Sequence, residues 1–508
     1  MSDESVAKAL RSPARLVVVE APAGCGKTTQ GSQYAKDLAP SMMGGRILIL
    51  AHTHAACDVF STRTRGCDGR VEVYTIDSLI CQIAGAYHAA LGLPADVAGW
   101  ARRQKDGYTL LAAKVRRLLA VSPMIARSVT QRYPVVVCDE HQDASADQHN
   151  LAIACHDAGA SVRIFGDPMQ RIYGSAKKAE IDADHQRWES LKKRAEVFDE
   201  LDTPHRWSTG SDALGRWILQ ARTTLRDGGQ IDLRGALPDG LSLITAENRS
   251  KNPAGGYSLS KEEAKPVYAL ANGKSSLLVL AAHNDTVGSL CAFFNRRLPI
   301  WEGHVRDNLA VLMDATQKHR GDAVKIAESV VTFLDNVVVG FSPSAFSTRM
   351  LSEVRSGCAG RCKGKPAVLQ ELGKTILKEP DHRGAAKALH QLSQLIKTDP
   401  AFGTIKLDYR CEFWEAVQMS QFEDPEQGFA EVARRRTCTR PMPPSKAIST
   451  VHKAKGLECS HVLIIPCDAK HFGNTLAARC RLYVAMSRAM SSLTLVISRQ
   501  NPSPLLLL

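Results

Sequence analysis

The chain has 508 residues, 44% of them hydrophobic and 23% charged, enough for two to four domains with substantial apolar cores. Its 65 Lys and Arg against 52 Asp and Glu leave a net charge of +13, which suits a polyanionic partner because each neutralised phosphate releases condensed counterions. The polar opening MSDESVAKAL excludes a signal peptide, and no apolar run reaches membrane-spanning length, so a cytoplasmic protein with no membrane partner is expected.

Over the first two hundred residues, short β-branched runs alternate with helical stretches. Arg15–Glu20, Arg46–His52, Val71–Thr75, Val135–Glu140 and Val162–Asp167 are continuous apolar runs bounded by turns. Such runs suit parallel strands covered by helices on both faces. Residues 81–132 have helical spacing without a strand and read as a small helical insertion. A second αβ region begins near Thr203, with Leu241–Ala246 and Ser276–His283, and resumes near Ala447 with ISTVH, HVLIIP and LTLVIS. Helical spacing dominates between about Asp285 and Pro444. The expected fold class is α/β with two parallel-sheet domains and helical insertions. The first domain spans 1–202, the second 203–285 with 445–508, and a mainly helical inserted subdomain spans 286–444.

The fourteen cysteines are scattered, and several lie inside apolar runs, as Cys138 and Cys467 do; they read as reduced, buried thiols. Cys358 and Cys362 form a C-x3-C pair that invites a metal reading. Only Cys411 and Cys438 lie near as partners, at no standard spacing, so free thiols are expected. The last four residues, Leu505–Leu508, read as a frayed or partner-docking tail.

The strongest local signal follows the first strand: Ala21-Pro22-Ala23-Gly24-Cys25-Gly26-Lys27-Thr28-Thr29. Glycines at 24 and 26 let the backbone curl so that its N–H groups point at phosphate oxygens, and the helix that follows adds its N-terminal dipole. In this pattern Ala23 to Thr29 bind the phosphates, Lys27 reaches the β- and γ-phosphates and Thr28 ligates Mg2+. Ala21 stands where the common form has its first glycine. A second candidate, Gly273-Lys274-Ser275, precedes a strand rather than a helix and reads as a turn. The fourth strand ends in Asp139-Glu140, followed by His141-Gln142-Asp143. One carboxylate there is placed to hold Mg2+ through water, and a second to orient the attacking water.

DEHQD resembles the DExQD box of the UvrD/Rep helicases of superfamily 1, and further elements follow in the family's order. Gly166–Tyr173 resembles GDxxQxIY, Leu201–Arg206 is similar to LxxNYR, Thr450–Glu458 resembles TxHxAKGLE, and Leu482–Ala489 resembles LYVAxTRA. Ala51–Ala56 sits where TFTNKAA would. The resemblance implies two RecA-like domains of a P-loop NTPase, ATP and Mg2+ as cofactors, and single-stranded or tailed duplex DNA as partner. It implies a helicase or translocase whose ATPase is stimulated by single-stranded DNA and which moves 3′ to 5′. By resemblance Asp139 coordinates Mg2+, Glu140 is the general base and Gln170 senses the γ-phosphate. Arg206 and Arg488 are arginine fingers, His205 and Glu458 touch the nucleotide, and Lys455-Gly456 lie in a coupling loop. His52, Thr53, Thr75, Tyr173 and His452 form the DNA-binding set.

The sequence departs from the family in ways that bear on function. The glutamine that reads the adenine edge falls near Val6, and no glutamine precedes Gln30. His205 replaces the stacking tyrosine. On the DNA side His52 replaces a phenylalanine, Asp77 a histidine and Ser175 a tryptophan, so base-stacking surfaces worth about 1–3 kcal/mol each are lost. In size the chain resembles the helicase subunits of phage-defence systems of the Gabija type, which work beside a separate nuclease. This resemblance keeps a second reading open: a DNA- or nucleotide-sensing regulatory ATPase subunit of a bacterial defence complex. A plain P-loop GTPase or kinase explains neither KAKGLE nor LYVAMSRA.

Overall fold

The computed structural model describes all residues except 1, 68, 105, 174–177, 251–255, 304–305 and 440–441, and the side chains of 103, 178 and 437–439. Ser175 and the Cys438 side chain therefore lie outside the described residues. The chain divides into two compact units, Met1–Thr286 with Thr450–Leu508, and Val287–Ser449.

The first unit contains two parallel sheets. One is built from β1 (Leu16–Glu20), β2 (Ile47–Ala51), β3 (Val71–Thr75), β4 (Val135–Cys138), β5 (Ser161–Gly166) and β6 (Val197–Glu200), in the order β3-β2-β4-β5-β1-β6. Every pairing in it is parallel. Strands β1, β2 and β4 are buried along their whole length, which is why they read as unbroken Val, Leu and Ile. The covering helices are α1 (Ser2–Leu10), α2 (Lys27–Leu38), α3 (His54–Arg63), α4 (Ile76–Ala86), α5 (Val97–Arg103), α6 (Gly107–Val121), α7 (Pro123–Arg132), α8 (Ala146–Asp157) and α9 (Lys178–Arg194). Leu79, Leu111, Val115 and Leu119, from α4 and α6, join the core on one face of this sheet.

After α10 (Asp212–Arg226) come β7 (Ile231–Asp232), β8 (Leu241–Thr245), α11 (Lys261–Gly273) and β9 (Leu277–Ala281). The segment Gly273-Lys274-Ser275 ends α11 and leads into β9, as a turn should. Helix α12 (Asn284–Phe293) carries the chain into the second unit. That unit holds α13 (Asp307–Lys318), α14 (Ala323–Val337), α15 (Thr348–Arg355), α16 (Lys365–Lys378), α17 (His382–Thr398), α18 (Arg410–Gln418) and α19 (Pro425–Thr439). It also holds a two-residue antiparallel pair, β10 (Val338–Val339) with β11 (Lys406–Leu407). Leu309, Phe333, Leu372, Leu389 and Phe413 share its core.

Strand β12 (Lys446–Thr450) returns the chain to the first unit, where β13 (Cys459–Cys467), α20 (Leu476–Met486) and β14 (Ala489–Ile497) complete the second sheet. Within that unit its strands run β9-β13-β14-β8, all parallel.

The C-terminal leucines correct an expectation. They are neither frayed nor a docking tail: β15 (Leu506–Leu507) pairs in parallel with β7, and Leu505 and Leu506 are 0% and 4% exposed. Leu505 and Leu506 are buried beside a turn at Ser503 that is tied down, its hydroxyl donating to Phe472 O, while Leu508 is exposed. Among the described residues no group of His, Cys, Asp and Glu could hold a metal by side-chain clustering, and Cys358 and Cys362 are free thiols. Among the same residues no helix is long and apolar enough to cross a membrane.

Candidate active site

Strand β1 ends at Glu20, and the Ala21 N–H donates to Gly166 O on neighbouring β5 at 2.8 Å. The chain then curls through Gly24 and Gly26, whose φ values of +74° and +84° lie in the left-handed region that favours glycine. A Cβ on Gly24 would stand 2.7 Å from Arg206 Cβ and 2.9 Å from the Trp207 ring, so the loop has no room for a side chain there. Helix α2 starts at Lys27 with no side chain capping its first amides, which leaves N–H groups and the positive end of the helix facing the loop. Ala23 and Cys25 line the underside, and burial pushes the Cys25 thiol up to about 12. Thr28 and Thr29 occupy the first turn of α2, and Thr29 Oγ1 accepts from Arg63.

Strand β4 brings the carboxylates to this loop. The Asp139 N–H donates to Leu50 O, extending the sheet by one residue, and Glu140 then turns with φ +51°. A non-glycine residue in that region is uncommon and strained. The turn aims Glu140 at Lys27, and the two form an ion pair. Burial works against ionisation of both. The neighbouring Glu140 and Asp139 nonetheless raise the Lys27 ammonium above its usual value, and Lys27 with Lys455 holds Glu140 well below the carboxylate range. Asp139, 4% exposed, is pushed upward by burial, against the pull of Lys27. Adjacent carboxyls driven apart in this way suit different tasks.

The site fits a nucleotide triphosphate with a divalent cation. The buried Lys27 Nζ has no hydrogen bond of standard geometry, and Asp139 Oδ1 has none either. A buried ammonium paired with Glu140 and a buried carboxylate oxygen left without a hydrogen bond, beside uncapped helix amides, form the donor set that phosphate and Mg2+ complete.

Gln170, 4% exposed, lies just past β5, and its Nε2 donates to Asp167 Oδ2 at 2.9 Å. The Asp167 N–H donates to Gln142 Oε1 at 3.0 Å, and Gln142 in turn donates to Glu140. Gln170 and Glu140 are thus linked through Asp167 and Gln142.

Residues from the turn after β6 and from the second sheet's connections converge on the same loop. The Arg206 N–H donates to Gly24 O at 3.1 Å, while its guanidinium donates to Ser487 O at 2.6 Å and pairs with Glu458 at 2.7 Å. Its Nε is buried without a partner. His205 lies against Gly26 and meets Asp3 Oδ2 at 2.9 Å through Nε2, with its side chain half exposed. Arg488, 2% exposed, is bound to Val484 O, Leu457 O and the Ser487 hydroxyl. Burial lowers it to about 9.

Of the residues expected at DNA, His52 and Thr53 follow directly on Ala51, the register partner of Thr75. Thr53 caps α3 and is exposed. Thr75, 8% exposed, caps α4 through the Ser78 N–H. His52 is driven toward its neutral form by burial, opposed by Asp143 and Glu140. Tyr173 and His452 do meet: the Tyr173 hydroxyl donates to His452 O at 3.1 Å, and His452 Nε2 lies 2.9 Å from Ile172 O. Lys455 donates to Asp143 Oδ2 at 2.6 Å and to Gln170 O at 2.8 Å, and stands 4.8 Å over the Tyr173 ring. Asp77 accepts from Gln148.

Sequence reasoning missed four participants. Tyr483 accepts a hydrogen bond from the Ala23 N–H, Asp3 faces His205, and Glu20 and Arg222 form a buried ion pair beneath the loop. Val6, at the expected place of the base-reading glutamine, is fully buried in the core. Tyr483 stood inside a recognised motif, and that was its only signal. Asp3, Glu20 and Arg222 carried none.

A phosphate loop at the end of β1, carboxylates at the end of β4 and a second parallel sheet supplying Arg488 define a P-loop NTPase with two RecA-like halves. Residues 3–191 match the family model of an AAA domain, and residues 447–496 match that of the UvrD-like helicase C-terminal domain. Both matches support an ATP-driven superfamily 1 helicase. Among solved structures, the Pif1 helicase from Candida albicans aligns with 97% of this chain and 94% of its own, at 13% identity and a TM-score of 0.36. No curated protein matches the sequence.

Proposed function

We propose that this chain is an ATPase of the UvrD/Rep type, stimulated by single-stranded DNA, that translocates 3′ to 5′ and separates strands. One observation carries the reading: Asp139 keeps an open polar atom beside the buried Lys27 ammonium, at a phosphate loop that Arg206 reaches from just past the first sheet and Tyr483 from near the end of the sequence. ATP supplies the driving free energy, and Mg2+ neutralises charge on the phosphates as they separate. Lys27 and the amides of Ala23 to Thr29 hold the phosphates, and Thr28 and Asp139 hold the cation. Glu140, kept ionised by Lys27, accepts the proton of the attacking water. Gln170 reports the terminal phosphate to the Tyr173 and His452 contact through Lys455. Arg206 acts from the turn after β6 and Arg488 and Glu458 from the ends of second-sheet strands, His205 stacks on the base, and His52, Thr53, Thr75, Tyr173 and His452 contact DNA.

The test is ATP hydrolysis with and without single-stranded DNA, followed by unwinding of duplexes carrying 3′ or 5′ tails. Stimulated turnover with a preference for 3′ tails supports the reading, and hydrolysis indifferent to DNA overturns it.

A second reading, a nucleotide-sensing regulatory subunit beside a separate nuclease, is favoured by the engagement of Arg488 with protein carbonyls and by the burial of Thr75. Strand displacement by the purified chain alone excludes it.

A further inference from the structure

Arg222 is 3% exposed on α10, which packs on α20 and β14 beside the second sheet. It nevertheless reaches the first sheet. Its Nε and Nη2 donate to Asp167 Oδ1 at 3.1 and 2.7 Å, and Nη2 meets Glu20 Oε1 at 2.5 Å. Glu20 ends β1, and Asp167 follows β5 directly after Gly166, the register partner of Glu20. Two carboxylates exposed by 1% and 0% are thus set side by side, and burial makes an unpaired charge there costly.

Charge balance alone does not account for the geometry. Asp167 is also a junction: its Oδ1 accepts from the Met169 N–H at 3.1 Å, its Oδ2 from Gln170, and its own N–H donates to the Gln142 side chain that contacts Glu140. The Arg222 fork therefore grips, from the second half, the residue that fixes both Gln170 and the amide behind Glu140. Lysine, a point charge without a fork, would not meet both carboxylates in this way.

We propose that Arg222 is a positioning residue that transmits the placement of α10 through Asp167 to Gln170. The proposal rests on the reading of Gln170 as the sensor of the terminal phosphate, and it is tested in a way that separates the two.

Arg222→Met alone leaves Asp167 without a cation and Glu20 with only the more distant Arg226 and Lys192, and endangers folding, so Arg222→Met/Glu20→Gln, which removes one of the two carboxylate charges, is compared with Arg222→Lys, which keeps the cation and loses the fork. In the nucleotide-free protein, at a temperature where the double variant is fully folded, amide hydrogen exchange over residues 164–173 should rise about tenfold while exchange in β2 and β4 stays at the wild-type rate. In turnover, kcat should fall about tenfold with nucleotide Kd changed less than about threefold, and Arg222→Lys should recover part of the loss. In a Gln170→Ala background the Arg222 substitutions should cost no further activity. Wild-type exchange over 164–173, or additive losses with Gln170→Ala, would overturn the proposal. A chain that hydrolyses no ATP refutes the functional reading instead, and the exchange measurement then decides the positioning role by itself.

Discussion

The backbone N–H of Ala23 donates to the phenolic oxygen of Tyr483 at 2.8 Å, joining residues 460 positions apart. Both are buried, Tyr483 completely. The hydrogen bond ties the phosphate loop to helix α20, the element that also leads into Ser487 and Arg488. Tyr483→Phe keeps the ring but orphans a buried amide, which costs about 1–3 kcal/mol. Denaturant unfolding should show that loss, and an unchanged midpoint would mean that the amide finds another acceptor.

Lys27 is the phosphate loop's only lysine, buried against Glu140. Lys27→Ala should lower ATP turnover by at least about 10²-fold, the scale of losing one preorganised charge at a reacting centre. Steady-state hydrolysis with saturating Mg2+ measures this. DNA-stimulated turnover persisting in the variant would remove Lys27 from the mechanism.

Arg206 holds its guanidinium between Ser487 O and Glu458. Arg206→Ala should slow hydrolysis by about 10³-fold, in the range seen for arginine fingers, while nucleotide affinity changes by only a few-fold. Equilibrium binding of a fluorescent nucleotide alongside kcat separates the two effects. Lost binding with normal turnover would contradict the role.

His141 Nε2 and His149 Nδ1 lie 3.0 Å apart, an arrangement in which only one ring can donate and neither gains from a second proton. Burial, with Arg187 nearby, lowers His149 to about 4. The unfolded ring takes up a proton below about 6.5 and the folded ring does not, so stability falls as pH drops from about 6.5 to 4. The loss reaches up to about 3 kcal/mol at the acid end of that window. Unfolding titrations across the window should show a shallower slope in His149→Gln than in wild type, and equal slopes would refute the assignment.

Leu505 is fully buried next to the β7–β15 pair. Leu505→Ala should cost about 2–5 kcal/mol, the usual range for a buried leucine truncated to alanine. A thermal melt within a degree of wild type would mean that the end of the chain is loosely held after all.

What the sequence revealed follows from burial. Strands covered on both faces have no reason to alternate, so Leu16–Glu20, Ile47–Ala51 and Val135–Cys138 were visible as apolar runs. Strand β6, Val-Phe-Asp-Glu, sits at the sheet edge with alternating partial exposure over four residues, too few to establish a period. β7 and β15 are two residues each and exist only because they find one another. The site divides in the same way. Gly24, Gly26, Lys27 and Asp139 act within short stretches whose spacing is itself the chemistry. Glu20 and Arg222 form their pair across some two hundred positions, and on an amphipathic helix such as α10 an arginine reads as a solvated charge. Asp3 looked like an ordinary acidic residue in a helix's first turn until His205 was placed beside it.

The strand order has a consequence for how the molecule is made. All six strands of the first sheet lie between Leu16 and Glu200, so that half can fold while the remainder is still emerging from the ribosome. The second sheet cannot: β8 and β9, synthesised early, are not neighbours, and the two strands that separate them end only at Ile497. Throughout most of translation the nascent chain therefore carries a finished phosphate loop with neither Tyr483 nor Arg488 yet in existence. On the proposed reading, such an intermediate holds the phosphate-binding residues without the arginine and tyrosine that reach them, and completes the site only when α20 and β14 are made.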